Sequence, residues 1–140
     1  MAKRKSKPRA HDQDAGLGPS PSRDGCRLNG RLWLEKDGET FIAWGRVTLL
    51  ERIREHGSIN AAAASMGMGY RHAWTLVEQM NRMSPKPLVE KSTGGSGGGG
   101  TVLTEEGETV IRNFWSLVDG FRRWMGDRDP RLWSSPENGA

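Results

Sequence analysis

A chain of 140 residues, 34% of them hydrophobic, is one domain's worth of sequence. No apolar run approaches the roughly 20 residues that a membrane span needs, and a single cysteine, Cys26, excludes an internal disulfide or a cysteine-based metal cluster. The formal net charge of +4 sits at one end: residues 1–27 carry seven Lys/Arg against three Asp/Glu, residues 28–125 twelve against eleven, and residues 126–140 two against three. The basic balance therefore belongs to the N-terminal tail, and net charge alone is weak evidence for a nucleic-acid partner.

Residues 1–27 are rich in Lys, Arg, Pro, Ser, Gly and Asp and almost devoid of apolar side chains. Such a segment buries too little surface to offset its chain entropy and is expected to be disordered. Its basic start is followed by no apolar h-region and contains no twin-arginine motif, so a cytoplasmic location is expected. Lys3-Arg-Lys-Ser-Lys7 and Arg9 read as a solvated tail that can add sequence-independent, salt-sensitive affinity for phosphates. Residues 126–140, with Pro130, Pro136 and a closing Asn-Gly-Ala, read as a second disordered tail. The folded domain is expected over residues 28–125.

That domain opens on a hairpin. Arg31–Glu35 and Thr40–Trp44 flank a turn containing Asp37-Gly38, a strong hairpin signal. A helix is predicted from Arg46 to His56, with Val47, Leu50 and Ile53 on one face and Gly57 as its stop. Ser58 is a good N-cap for a helix over Ile59–Met66, whose four alanines let another backbone approach closely. Gly67 and Gly69 bracket a tight turn. A third helix is predicted over Tyr70–Met83. Ala73, Trp74, Val77 and Met80 recur at helical spacing and should face the core, with Arg71, His72, Thr75, Gln79 and Arg82 outward. Trp74 could also stack on a base, but its position beside Ala73 and Val77 favours packing. Pro85 and Pro87 end it. Leu88–Ser92 and Thr101–Leu103 form two short strands around the run Thr93-Gly-Gly-Ser-Gly-Gly-Gly-Gly100. Thr104 is a plausible N-cap, with Glu105 and Glu106 suited to the positive end of a last helix over residues 105–125. The apolar surface of that helix is wider than one stripe, which predicts a dimer interface through Ile111, Phe114, Trp115, Val118, Phe121 and Trp124.

Two short helices joined by a tight turn and followed by a glycine-rich hairpin make a winged helix-turn-helix. The fold class expected is mainly α with small β: an N-terminal β-hairpin, a Gly-rich wing and a long C-terminal dimerisation helix. The glycine run does not suit a nucleotide cradle, because no Gly-Lys-Ser/Thr follows and no Rossmann spacing is present. Its composition also suits a flexible linker, but the strands on either side favour a wing.

The residues Gly57-Ser-Ile-Asn-Ala-Ala, Tyr70-Arg-His-Ala-Trp74, Glu78-Gln-Met-Asn81, Leu88-Val-Glu90, the Thr93–Gly100 run and Val102-Leu-Thr104 together resemble the N-terminal domain of the ModE family. These are molybdate-dependent transcriptional regulators. The resemblance covers about residues 46–125. A more distant similarity links the chain to the LysR regulators, which share the Gly-Ser…Ala-Ala opening and the Leu-Thr before the last helix. The resemblance implies a winged helix-turn-helix that dimerises through its C-terminal helix and binds a palindromic operator. It also implies a role in molybdenum metabolism. Full-length members of the family carry two molybdate-binding modules after this domain. Nothing after Met125 in these 140 residues suits such a module, so the likeness is to a stand-alone DNA-binding form.

In this motif the start of the third helix meets base edges. Arg71 can bond guanine O6 and N7 in a bidentate way or contact phosphate alone. His72 and Thr75 can meet a base or a phosphate, and Arg82 lies further along the same side. Tyr70 can offer its hydroxyl to a phosphate, and Ser58 can serve as helix cap or phosphate donor. Lys91, Ser92, Thr93 and Ser96 would add contacts from the wing. No catalytic constellation emerges: His11, His56 and His72 are scattered, and Glu51 and Glu55 lie beside Arg52 and Arg54. No enzyme activity, cofactor or metal is expected. The partners expected are double-stranded DNA and a second copy of the chain, with no membrane. One alternative is an interaction module that heterodimerises with a full-length regulator and modulates it. Another is a binder without sequence preference that relies on its basic tail.

Overall fold

The computed structural model describes residues 16–22, 25–92 and 100–128. They fall into two compact units, one running from Trp33 to Trp115 and the other built from residues up to Leu32 and from Ser116 onward. The winged helix-turn-helix lies in the first unit.

That unit opens on an antiparallel hairpin, β1 (Leu34–Lys36) and β2 (Glu39–Ile42). Asp37 and Gly38 between them have φ of 52° and 82°. Positive φ at both central positions twists the chain the way paired strands require. The strands are shorter than the sequence suggests, with an irregularity between Leu34 and Glu35. Trp44, expected to close the second strand, instead begins helix α1 (Trp44–His56). Its burial explains the shift: the Trp44 ring stands edge-on to Trp115 with centroids 4.8 Å apart, and packing outweighs the helix-breaking tendency of Gly45. Val47, Leu49, Leu50 and Ile53 are buried along α1. Gly57 ends the helix in the left-handed region at φ 75°, donating its N–H to Ile53 O at 2.8 Å.

Helix α2 (Ile59–Ser65) is capped by Ser58, whose Oγ accepts the Ala61 N–H at 2.9 Å. Ala62 and Ala63 are its buried alanines. Helix α3 (Tyr70–Met83) buries Ala73, Val77, Met80 and Met83. Strands β3 (Val89–Lys91) and β4 (Thr101–Leu103) pair antiparallel, Val89 opposite Leu103 and Lys91 opposite Thr101. Their root is pinned to the body, since Thr101 donates its N–H to Gly57 O at 2.8 Å. Thr104 then caps helix α4 (Glu105–Gly126): its Oγ1 accepts the Gly107 N–H at 3.0 Å and donates to Pro87 O at 2.7 Å. The architecture is mainly α with small β, as the residue pattern predicts.

Up to Trp115, α4 contributes buried Ile111 and Phe114, and Trp115 donates its Nε1–H to Glu51 Oε2 at 2.8 Å. Within the second unit, the Leu17 N–H donates to Gly30 O at 3.0 Å, and Ser22 and Cys26 close a small turn. The disorder expected over residues 1–27 and 126–140 falls chiefly outside the described residues. In the described part of the N-terminal segment, the Leu17 side chain is buried. Val118 and Met125 are also buried, while Phe121 stacks on Trp124 at 6.4 Å and the Arg128 guanidinium lies 4.4 Å from the Trp124 ring centroid.

Candidate nucleic-acid interface

The turn between α2 and α3 is tight because Gly67 adopts φ 65° and Met68 returns its N–H to Ala63 O at 2.9 Å. Gly69 leads into α3 in extended conformation with no side-chain cap. The first turn of α3 therefore presents its amides and its positive dipole end without an internal acceptor side chain. Tyr70, Arg71 and His72 stand exposed on that turn. With about 100° per residue, Arg71, Thr75, Glu78 and Arg82 lie on the side away from Ala73, Val77 and Met80, and all four are exposed.

The described site residues have definite places. Thr75 is exposed, with Oγ1 donating to Arg71 O at 3.0 Å. Arg82 faces Glu39 across 3.5 Å, both side chains more than three-fifths exposed, a pairing that contributes little and leaves Arg82 able to turn to a phosphate. Ser58 has its oxygen engaged as the α2 cap. Lys91 is exposed on β3, and Ser92 donates its N–H to Gly100 O at 3.0 Å. Thr93 and Ser96 lie outside the described residues. So Tyr70, Arg71, His72 and Thr75 gather at the start of α3, with Ser58 and Lys91 on the elements beside it.

Two expectations change. Gln79 is not outward: it is half-buried, and its Oε1 accepts Arg46 Nη2–H at 2.8 Å. Burial lowers the Arg46 pKa from its usual value, with Glu39 opposing. Trp74 is not a core residue. It is half-buried on the shoulder of α3, edge-on to Tyr70 with centroids 6.3 Å apart, and it lines an open cleft. The apolar stripe through Ala73, Val77 and Met80 is narrower than the sequence pattern suggests, and Trp74 lies about 60° beyond Val77.

The expected dimer surface also divides. Ile111, Phe114 and Val118 are buried within one chain, and Trp115 is held by Trp44 and Glu51. Phe121 is half-buried, and Trp124 is exposed at 51% together with Leu117 at 48%.

One residue that pattern reading assigns no job positions the wing. Asn81, on the inner side of α3, accepts the Leu88 and Val89 N–H groups at 2.8 and 3.2 Å through Oδ1 and donates Nδ2–H to Val89 O at 3.0 Å. It stands in for a third strand and ties β3 to α3. A poor helix former in a helix interior was the available signal. Asn81→Ala leaves two half-buried N–H groups unpaired and is expected to cost about 1–3 kcal/mol in stability, read by urea unfolding. An unchanged midpoint would remove Asn81 from this role.

Among the described residues no group of three or more His, Cys, Asp or Glu is placed to hold a metal, and no helix is long and apolar enough to cross a membrane. Residues 44–108 match the family of bacterial regulatory helix-turn-helix proteins, lysR family. The chain is 38% identical over 106 residues to the molybdenum transport protein ModE of Azotobacter vinelandii, covering 76% of this chain and 39% of that protein. It is 45% identical over 81 residues to the DNA-binding transcriptional dual regulator ModE of Escherichia coli K12, covering 58% of this chain and 31% of that one. Identity to the molybdenum-pterin-binding protein MopA of Rhodobacter capsulatus is 36% over 95 residues, covering 68% and 36%. The chain thus spans less than two-fifths of the length of these relatives.

Proposed function

We propose that this chain, whose residues 44–108 match the lysR-family helix-turn-helix and which is similar to ModE proteins, is a sequence-specific transcriptional regulator that binds a palindromic operator as a dimer. The observation that carries this reading is the exposed, uncapped first turn of α3 bearing Arg71 and His72, with Thr75 one turn on. An arginine there has the reach and the fork of donors to read guanine in the major groove. The β3–β4 hairpin approaches the flanking backbone, with Lys91 as its cation. The relatives' names support a role in molybdenum metabolism. Leu117 and Trp124 offer apolar surface for a second copy, which sets the spacing of two half-sites. The chain acts by binding rather than by catalysis.

The test is a selection from random-sequence duplexes with the full chain, followed by fluorescence anisotropy at two salt concentrations. An enriched inverted repeat bound about 10³-fold or more over a scrambled duplex, with the preference kept at higher salt, is the expected result. Enrichment of nothing, with binding that vanishes equally for all duplexes as salt rises, would leave only a non-specific binder.

A further inference from the structure

Arg46, in the first turn of α1, reaches across to α3 and is half-buried. Its Nη2–H donates to Gln79 Oε1 at 2.8 Å. Its Nη1 is buried and meets no acceptor among the described residues. Glu39 attracts the guanidinium electrostatically but turns its carboxylate to Arg82. A guanidinium enclosed with an open donor stabilises a fold poorly, because desolvation of the ion and of the unpaired N–H offsets what its single bond gains. What such a group can supply is a fixed geometry between the elements it joins.

We propose that Arg46 is a positioning residue for operator readout: through Gln79 it sets the roll of α3 about its own axis, and with it the aim of Arg71. The inference rests on the DNA-binding reading above and names a residue that acts on it without touching DNA. The buried stripe of α3 through Ala73, Val77 and Met80 is narrow, and apolar packing is non-directional, so the stripe restrains roll weakly. Directional bonds flank it on both sides. At about 100° per residue, Asn81 lies roughly 80° to one side of Ala73 and Gln79 roughly 120° to the other. Asn81 is tied to Leu88 and Val89, and Gln79 to Arg46. Lys36 Nζ donates to Met83 O at 2.7 Å and holds the end of the helix, which leaves its rotation to the two flanks. Arg71 stands nearly opposite Ala73, so any roll is passed to it in full. A helix with its side chains is about 10–12 Å across, so a roll of about 10° moves a side-chain tip by about 1 Å. A binding constellation tolerates about 0.5 Å. Loss of Asn81 would disturb the wing as well, whereas the Arg46–Gln79 link touches neither the wing nor the exposed face of α3 and so isolates the roll.

The experiment uses the full chain, the duplex enriched by the selection and a scrambled duplex, with thermal melting alongside. Arg46→Met combined with Gln79→Met removes both polar partners together, so no donor or acceptor is stranded. The double variant is expected to melt at or above the wild-type Tm and to bind the scrambled duplex as wild type does, while its preference for operator falls about tenfold or more. Gln79→Glu, which also gives the buried Nη1 an acceptor, is expected to keep the preference and raise the Tm. Were the double variant not to fold, Gln79→Met alone would carry the prediction, since Gln79 is half-buried and its loss still cuts the tie. A lowered Tm with the preference intact would make Arg46 a structural residue and overturn the inference. So would an intact preference at unchanged Tm, and both results would leave specific DNA binding standing. A selection that enriches nothing would instead bring down the DNA reading and this inference with it.

Discussion

Arg71→Ala is expected to collapse the preference for operator over scrambled duplex while leaving weak binding to both. The side chain is exposed, so its removal should change stability by less than about 0.5 kcal/mol, and the melting curve should overlay wild type. A good bidentate arginine–guanine pair is worth roughly 1–3 kcal/mol of discrimination, so two half-sites in a dimer lose about 2–6 kcal/mol. A preference near 10³ corresponds to about 4 kcal/mol, so the loss removes most of it. Salt separates the two things that Arg71 can touch. If it reads a base, the dependence of log affinity on log salt is nearly unchanged. If it meets only phosphate, the slope falls by about 1 for each arginine removed and all duplexes weaken together. Anisotropy titrations across a salt series supply both readings. Unchanged preference would take base readout away from Arg71.

The parts of the fold written in local chemistry were legible in the residues. Asp37-Gly38 announces a turn that needs two left-handed positions, and Ser58 and Thr104 announce helix starts whose side chains do accept first-turn N–H groups. The 3.6-residue period placed α3 over Tyr70–Met83. What was hidden depends on long-range geometry. Trp44 reads as the end of a strand, and only Trp115, far along the chain, makes it the start of a helix. Gln79 has outward periodicity, yet the Arg46 guanidinium covers it. Asn81 looks like an ordinary polar helix residue until β3 is seen to lack a ladder partner that it supplies. Trp74 fits an apolar stripe by spacing, but the width of that stripe is set by how closely α3 meets its neighbours, and composition does not record that. At the candidate interface, the exposed start of α3 was readable and the shoulder facing the wing was not.

The last helix separates two roles that its sequence blends, and two substitutions should pull them apart. Phe114 is 1% exposed and stands against Trp115 with ring centroids 5.3 Å apart, so Phe114→Ala should cost about 3–5 kcal/mol of a total near 5–15 kcal/mol. That loss belongs to the fold of one chain and should persist at every protein concentration. Trp124 and Leu117 are about half exposed, so the double change Leu117→Ala with Trp124→Ala leaves the packed interior intact. If these residues form the contact between copies, sedimentation should show the double variant as monomer where wild type is dimer. The wild-type Tm should rise with protein concentration, since association stabilises the folded chain by mass action, while the Tm of the double variant should not. Operator binding should weaken with the dimer, because a monomer engages one half-site and loses the advantage of the second. A double variant that stays dimeric would move the interface elsewhere. A Phe114→Ala chain that melts like wild type would mean that the aromatic cluster of Trp44, Phe114 and Trp115 is not what holds α4 to the domain.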